Sequence, residues 1–288
     1  MNRRDFLFST GCLVAGVAGV SCCGTRRSAA SASTPARRIA FNSANLVGRV
    51  SNYRYELTHW GEQHQKTIAA TDEKAWRAIC AEIAKAGYSA IEVWEAHAAP
   101  ESLDAAKAKT WRKILDDAGL QPIGYGGSFR PETVKVCQWL GIPVINGGLR
   151  GLTAQAATAL CRESGVRFNH ENHPEKSVAE ILRAIEGGNE WLGICVDTGW
   201  LGTQGVAAPE AIQALGAMVR HTHIKDVRRA GGHETCRLGD GMVRIPAVLA
   251  TLKKMNYTGW FSWEDEPEDR NPMDLAPWTL DYLRQQLS

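Results

Sequence analysis

Four short stretches in the second half of the chain concentrate side chains that bind metal ions or move protons. Each stretch follows or lies within a short apolar run of the kind that forms a buried strand. Any one acid alone is better explained as a salt bridge, but four such stretches together favour one shared site. The stretches are His170-Glu171-Asn172-His173, Val196-Asp197-Thr198-Gly199-Trp200, His221-Thr222-His223-Ile224-Lys225-Asp226 and Trp263-Glu264-Asp265-Glu266.

The elements that would position these stretches are eight β-rich runs, which alternate with amphipathic helical segments from Arg38 onward. Repeated strand–helix units with almost continuously apolar strands indicate a parallel sheet covered by helices, and eight units fit a closed (β/α)8 TIM barrel. An open doubly wound sheet is the alternative, but the first strand lacks the glycine-rich turn of a nucleotide-binding unit. The predicted strands are 39–42, 90–94, 122–125, 143–146, 166–169, 192–196, 218–224 and 259–263.

In a closed barrel the carboxyl ends of all strands face one mouth, so the four stretches are expected to meet there. Along the seventh strand, alternation places His221, His223 and Lys225 on one face and Thr222 and Ile224 on the other. Glutamates, an aspartate and a single histidine form an oxygen-rich site that suits Mn²⁺, with Mg²⁺, Co²⁺ or Zn²⁺ also compatible.

The order and spacing of five motifs resemble the xylose isomerase-like barrel superfamily. Within it, the chain is similar to the sugar phosphate isomerase/epimerase group, which includes ketose 3-epimerases, hydroxypyruvate isomerase and inosose dehydratase. The resemblance covers Arg38 to the C-terminus. It implies that Glu171, Asp197, His223 and Glu264 bind one divalent metal ion, and that the two glutamates form the catalytic acid/base pair. The motifs are Glu171-Asn-His, Val196-Asp-Thr-Gly, His221-Thr-His-Ile-Lys-Asp, Leu238-Gly-Asp-Gly and Gly259-Trp-Phe-Ser-Trp-Glu.

Other residues near the predicted mouth are candidates for binding substrate. His173 and Lys225 are expected to reach substrate oxygens, or else to make hydrogen bonds at the rim. Trp94 and His97 lie at the end of the second strand, and Trp200 stands where many relatives carry a histidine. An indole in place of an imidazole favours stacking on a neutral sugar face over binding a phosphate.

Two further groups have supporting roles in this interpretation. His221 and Asp226 are expected to support the ligands from behind, since metal-binding side chains usually have hydrogen-bonded partners. The long segment after the first strand carries His59 and Trp60. This segment is interpreted either as a lid over the mouth or as a surface loop.

The predicted site suits proton abstraction next to a carbonyl, through an enediolate, on a non-phosphorylated sugar or keto-sugar. The resulting enzyme would be a metal-dependent isomerase or epimerase. Loss of a neighbouring leaving group from the same intermediate would make it a lyase or dehydratase acting on 3-keto-sugars or glycosides. A nuclease of the endonuclease-IV type would need more histidines, including one where Trp200 stands. A non-catalytic sugar-binding barrel would be favoured by loss of a ligand, and all four are present.

Composition excludes other classes. A formal net charge of +2 and 22% charged residues offer no electrostatic basis for binding nucleic acid or an anionic membrane. The five cysteines after residue 37 are irregularly spaced and form no Cys-x-x-Cys pair, which argues against a disulfide framework or a structural zinc site. Core packing is therefore predicted for Cys80, Cys137, Cys161 and Cys195, which lie in apolar stretches.

The N-terminus is predicted to be an export segment and not part of the barrel. Residues 1–23 resemble a twin-arginine signal, with Arg3-Arg-Asp-Phe-Leu followed by an apolar run. Cys22 and Cys23 lie in a sequence similar to a lipoprotein cleavage site. The two alternatives are therefore a lipid-anchored protein and a freely soluble periplasmic protein. Residues 24–37 are small and polar, as in a flexible tether, and residues 38–288 would form the single catalytic domain.

Overall fold

The computed structural model describes residues 35–288. The predicted export signal, the lipoprotein-like cysteines and nearly all of the predicted tether lie outside the described residues. The last three tether positions, Pro35–Arg37, form one turn of 3-10 helix before the first strand. Among the described residues, none of the helices combines the length and apolarity needed to span a membrane.

Eight parallel strands form a closed barrel in which each strand pairs with the next and the eighth pairs with the first. The predicted TIM barrel is confirmed, and the open doubly wound sheet is wrong. Each strand overlaps its predicted range, with ends that differ by up to two residues. The strands are β1 (Ile39–Asn42), β2 (Ala90–Trp94), β3 (Gln121–Gly126), β4 (Val144–Gly147), β5 (Arg167–Glu171), β6 (Leu192–Asp197), β7 (Val219–Ile224) and β8 (Phe261–Trp263).

Strand pairing extends two strands as far as predicted ligands. Glu171 is the last residue of β5 and pairs with Cys195 on β6. Asp197 is the last residue of β6 and pairs with His223 on β7. Because these side chains belong to hydrogen-bonded strands and not to loops, the barrel wall holds their backbone in place.

Helices surround the barrel between the strands. The eight predicted helices are present, and the described residues also contain two that were not predicted, one before α2 and one directly after β6. Asp72 begins α2, because its side chain accepts the Ala75 N–H. The helices are α1 (Trp60–Ala70), α2 (Glu73–Lys85), α3 (Ala105–Asp117), α4 (Pro131–Leu140), α5 (Ala154–Ser164), α6 (Val178–Ala184), α7 (Thr198–Thr203), α8 (Ala208–Leu215), α9 (Ile245–Lys254) and α10 (Ala276–Leu287).

The apolar core lies mainly between the strands and the helices, where Trp76, Trp111 and Phe168 are fully buried. The five cysteines after residue 37 are free and buried, which confirms core packing for Cys80, Cys137, Cys161 and Cys195 and adds Cys236. Inside the barrel, toward the carboxyl ends of the strands, the buried side chains are instead polar, including Glu92, His221 and His223. Buried charge of this kind requires partners, and these residues supply them to one another.

Candidate metal and active site

Three of the four predicted ligands meet around one imidazole nitrogen. The Nδ1 atom of His223 lies 2.7 Å from Oε1 of Glu171 and 3.4 Å from Oε2 of Glu264. One ligand atom from each of these three residues lies within 4.8 Å of the other two. The closed barrel therefore brings together residues of β5 and β7 with the residue that follows β8.

Asp197, the fourth predicted ligand, lies beside Glu171 in a second group of potential ligands that also contains His173. Its Oδ1 accepts the Trp200 N–H at 3.0 Å and so begins α7. Its Oδ2 lies 3.0 Å from Nε2 of His173 and 3.5 Å from Nζ of Lys225. One carboxylate oxygen thus fixes the local backbone, while the other belongs to the site.

The donor set fits a hard or borderline divalent cation. Three carboxylates and one imidazole lie in a largely buried pocket, where uncompensated negative charge is costly. Burial opposes a charged imidazole, but the surrounding carboxylates raise the pKa of His223 well above its ordinary value. A divalent ion would neutralise the same charge. Glu171, Asp197, His223 and Glu264 are the residues that would hold it.

Lys225 lies among three carboxylates at the edge of this group. Its ammonium is 2.7 Å from Oε2 of Glu266 and 3.3 Å from Oε2 of Glu264, in addition to its contact with Asp197. Burial disfavours the charged amine, but Asp197, Glu264 and Glu266 raise the pKa of Lys225 well above its ordinary value. A fixed positive charge therefore faces the region where substrate oxygens would bind.

His173 lies on the open side of the site, with its side chain 39% exposed. Partial desolvation disfavours the imidazolium, but Glu171 and Asp197 outweigh it and raise the pKa of His173 to about 9. A raised pKa favours the imidazolium form, which donates hydrogen bonds from both ring nitrogens, and the ring lines the cavity.

Glu92 is the main residue that the sequence prediction left unassigned. It is fully buried, and its carboxylate lies 2.8 Å from Nε2 of His221 and 3.1 Å from Nε2 of His223. The Asn146 side chain donates a third hydrogen bond at 2.6 Å. Burial alone would raise the pKa of Glu92, but the two histidines outweigh it and lower the pKa well below the ordinary value.

The Glu92 contacts determine which ring nitrogen of His223 faces the other predicted ligands. An ionised carboxylate accepts hydrogen bonds only, so the Nε2 atoms of both histidines are the donors. The Nδ1 atom of His223 then faces Glu171 and Glu264, where it donates to Glu171 as an imidazolium and would offer its lone pair to a bound divalent ion. His221 contacts the same carboxylate at 2.8 Å and so supports this arrangement through Glu92. The signal for Glu92 in the sequence was that it is a single carboxylate within an otherwise apolar strand.

Two asparagines at strand ends also position the ligands. The Asn42 amide donates to Oε1 of Glu264 at 2.8 Å, which leaves Oε2 facing the site. The Asn172 side chain accepts the Asp197 N–H at 2.7 Å and donates to the Asp197 carbonyl at 3.1 Å. Asn42 joins the end of β1 to the residue after β8, and Asn172 joins the ends of β5 and β6. Neither contact could be identified from the sequence before the strands were placed in space.

Asp226 supports a loop, which corrects its predicted role behind the metal ligands. Its carboxylate accepts backbone N–H groups from Val227, Gly239, Gly241 and Val243 at 2.9 to 3.1 Å. A Cβ atom at Gly241 would lie 2.2 Å from Oδ1 of Asp226, so this position requires glycine. The carboxylate therefore organises the connection between β7 and α9.

A cavity of about 850 Å³ opens above the predicted ligands. Of the predicted aromatic contacts, Trp94 and Trp200 line it. Trp200 lies edge-on to His173, with ring centroids 4.5 Å apart, and stacks on His233 at 5.4 Å. His233 lies in the connection between β7 and α9, and the sequence prediction did not include it.

The segment after β1 forms part of the cavity wall. Of its two predicted interpretations, a lid over the mouth or a surface loop, this position agrees with the lid. Trp60 and His64 line the cavity, and the Trp60 indole donates to Oε1 of Glu266 at 3.2 Å. His59 is exposed and is not among the cavity-lining residues within residues 35–288. Helical spacing explains the difference, because His64, one turn after Trp60, shares its face of α1.

A sequence model of the family described as "Xylose isomerase-like TIM barrel" matches residues 80–286. The chain belongs to this family. A curated relative, the inosose dehydratase of Mesomycoplasma hyopneumoniae (strain J), is 30% identical over 150 residues, which are 44% of this chain and 50% of the relative. The chain thus spans about half the length of the curated relatives it matches.

Solved structures of the family share the fold with this chain at low sequence identity. D-allulose 3-epimerase from Methylomonas sp., in complex with D-allulose, has a TM-score of 0.61 at 16% identity, covering 86% of this chain and 97% of that one. The probable 3-DHS dehydratase from Bacillus anthracis has a TM-score of 0.60 at 13% identity, covering 85% and 98%. The resemblance to this superfamily is confirmed, and the related proteins include both epimerases and dehydratases.

His97 does not reach the cavity, which corrects its predicted contact with substrate. The chain turns through a 3-10 helix at Glu95–His97 directly after β2, and His97 lies behind Trp94. It is 2% exposed, stacks on Trp76 and lies 3.1 Å from the Ser43 hydroxyl through Nδ1. Burial, with a smaller contribution from Arg49, lowers the pKa of His97 to about 3.

This buried histidine predicts acid sensitivity of the fold. Below pH 6.5, the ordinary pKa, the unfolded state binds a proton that the folded state excludes until about pH 3. The free energy of unfolding should therefore fall by about 1.4 kcal/mol for each pH unit in that window. Urea unfolding of the full chain at pH 7 and pH 5 should show a decrease about 2 kcal/mol larger than in His97→Asn. Parallel decreases in both proteins would contradict this assignment.

Proposed function

We propose that this protein is a divalent-metal-dependent enzyme that moves a proton at the carbon next to a carbonyl of a non-phosphorylated sugar or keto-sugar. The product would be an isomer or epimer. The observation that supports this most strongly is the position of Glu171 and Glu264 around His223 Nδ1, at 2.7 and 3.4 Å, below a large open cavity. Two carboxylates at one centre supply both a base and an acid.

A bound divalent ion would polarise a carbonyl and an adjacent hydroxyl oxygen of the substrate, which acidifies the neighbouring C–H group. One glutamate removes this proton, the C–H electron pair forms a C=C bond, and the π electrons of the carbonyl move to its oxygen to give an enediolate. Return of a proton to the opposite face of the same carbon inverts its configuration, whereas return to the neighbouring carbon moves the carbonyl. Lys225 stabilises the negative oxygen through its fixed charge.

Elimination is the second candidate function. It is favoured by the position of Glu266, which contacts Lys225 beside Glu264. Burial raises the pKa of Glu266 above its ordinary value, so its carboxyl group, 2.7 Å from the Lys225 ammonium, is a further proton donor beside the acid/base pair. A hydroxyl on the carbon β to the carbonyl leaves as water if it receives a proton as its C–O bond breaks. The named dehydratases among the similar proteins support this reaction class.

A neutral sugar is the proposed substrate class. Trp200 and His233 on one side of the cavity, and Trp60 with His64 on the other, offer aromatic faces suited to sugar rings. We also propose that the twin-arginine-like segment directs the protein to the periplasm, free or lipid-anchored. Sugar phosphates are cytoplasmic intermediates, so export is consistent with a free sugar or glycoside.

The decisive experiment is proton exchange in D₂O. Full-length protein, loaded with Mn²⁺, is incubated with a panel of ketoses and 3-keto-sugars and monitored by NMR. We expect deuterium to appear at a carbon adjacent to the carbonyl, with an epimer, an isomer or an unsaturated ketone as product. Chelator-treated protein is the control, and Mn²⁺ should restore its exchange. A Mn²⁺-bound protein that exchanges no proton in the whole panel would contradict the enzymatic function.

A further inference from the structure

The cavity is larger than the space around the metal site. Its volume of about 850 Å³ lies near the upper end of the range that accommodates drug-sized ligands. It continues from the metal ligands across the barrel mouth to the carboxyl ends of β3 and β4. A single sugar ring at the metal site would leave this far side open.

The far side carries polar groups that the proposed reaction does not use. We define the β3–β4 rim as Ser128, Arg130, Gly148 and Arg150, all of which line the cavity. Glu95 fixes part of it, because its carboxylate binds the Arg130 guanidinium at 2.6 Å and accepts the Ser128 N–H at 2.9 Å. The rim is therefore held in place by a buried carboxylate.

Arg150 is the group in this rim that remains free to bind a ligand. Its Nε donates to the Ser128 hydroxyl at 3.2 Å, and within residues 35–288 no carboxylate lies within 4.0 Å of its guanidinium nitrogens. An arginine offers five N–H donors in a planar arrangement, so most of its donors remain available to oxygen acceptors. Gly148 beside it has open space where a side chain would project.

An aromatic wall connects the two ends of the cavity. Trp94 lies edge-on to Trp60, with ring centroids 5.1 Å apart, and Trp60 stacks on His64 at 5.6 Å. Trp60 also binds Glu266, which contacts Lys225 beside the metal site. This wall provides apolar surface from the catalytic end toward β2, next to the β3–β4 rim.

We propose that the β3–β4 rim is a second sugar subsite, and that the substrate is a glycoside or disaccharide with two rings. The ring with the carbonyl binds at the metal site, and the second ring lies along the aromatic wall with its hydroxyls on Arg150 and Ser128. This inference rests on the proposed function, since it assumes a keto-sugar at the metal site.

The test compares a 3-keto-disaccharide with the corresponding 3-keto-monosaccharide in the Mn²⁺-loaded full-length protein. We expect kcat/KM for exchange in D₂O to be at least about 10-fold higher for the disaccharide, a difference of about 1.4 kcal/mol. Gly148→Phe should abolish this preference by filling the second subsite. Gly148→Ala is the matched control and should retain it, because a methyl group meets no neighbouring atom there.

The outcomes separate this inference from the proposed function. Equal kcat/KM values for both substrates, or an equal loss for both in Gly148→Phe, would overturn the second subsite while leaving the reaction intact. Exchange with neither substrate would reject the proposed reaction together with the subsite. Arg150→Gln supplies an independent measurement, since it should raise KM for the disaccharide several-fold and leave KM for the monosaccharide unchanged.

Discussion

Replacing Glu264 with glutamine should reduce proton exchange by about 10³-fold or more at saturating Mn²⁺, within the range that general acid–base groups contribute. The amide has the size of the carboxylate and can still accept the hydrogen bond from Asn42. It has no basicity at neutral pH, so it neither removes nor returns the proton. The measurement is the NMR rate of deuterium incorporation, normalised to the amount of bound metal.

Glu101→Gln is the matched control for this variant. Glu101 lines the same cavity but is exposed and lies outside the groups of potential ligands in residues 35–288. Its exchange rate should remain within about 2-fold of the unmodified protein. If Glu264→Gln keeps more than one-tenth of the exchange rate with metal bound, Glu264 is not the acid/base group, and Glu171 becomes the principal candidate.

Glu92→Gln should weaken Mn²⁺ binding by about 10- to 100-fold, the range observed when the hydrogen-bonded partner of a metal ligand is lost. The carboxylate accepts from both imidazoles and from Asn146 at the same time. A glutamine must direct its NH₂ group at one of these donors, so one imidazole loses its partner. The imidazole without a partner is then free to rotate or to change its tautomer, and the His223 ring is no longer held by an ionised carboxylate. Isothermal titration with Mn²⁺ gives the affinity, and ¹⁵N chemical shifts give the tautomer.

Glu95→Gln is the control for Glu92→Gln. It distinguishes a role in positioning His223 from the general effect of losing a buried charge. Glu95 is also buried and ion-paired, but its partner is Arg130, and it contacts neither histidine. Both variants should lower the free energy of unfolding by about 1–3 kcal/mol, since each leaves a buried group without its partner. Only Glu92→Gln should change the Mn²⁺ affinity and the His223 tautomer. Equal losses of affinity in both would assign Glu92 a purely structural role.

The fold and the meeting of the predicted ligands at one place could be predicted because their signals are local. Each β-rich run shows its own apolar pattern, and eight such runs fit one closed barrel. Barrel geometry then requires polar residues at the carboxyl ends of adjacent strands to meet. Glu171, Asp197, His223 and Glu264 could therefore be grouped from the sequence, although 93 residues separate the first from the last.

The supporting residues depended on contacts between segments far apart in the chain. Glu92 lies 129 residues from His221 in sequence, and Asn42 lies 222 residues from Glu264. No local pattern specifies such pairs, because each partner satisfies its hydrogen bonds only after the barrel closes. The same reason explains Asp226, whose four N–H donors come from its own neighbour and from a loop more than ten residues away.

Side-chain direction beyond the strand ends was decided by tertiary structure alone. Trp94 ends β2 and faces the cavity, whereas His97, at the end of the 3-10 turn that follows, lies behind it. In the segment after β1, helix formation brings His64 to the cavity beside Trp60 and leaves His59 exposed. Strand alternation specifies direction within a sheet, whereas irregular connections take their direction from the surfaces they pack against.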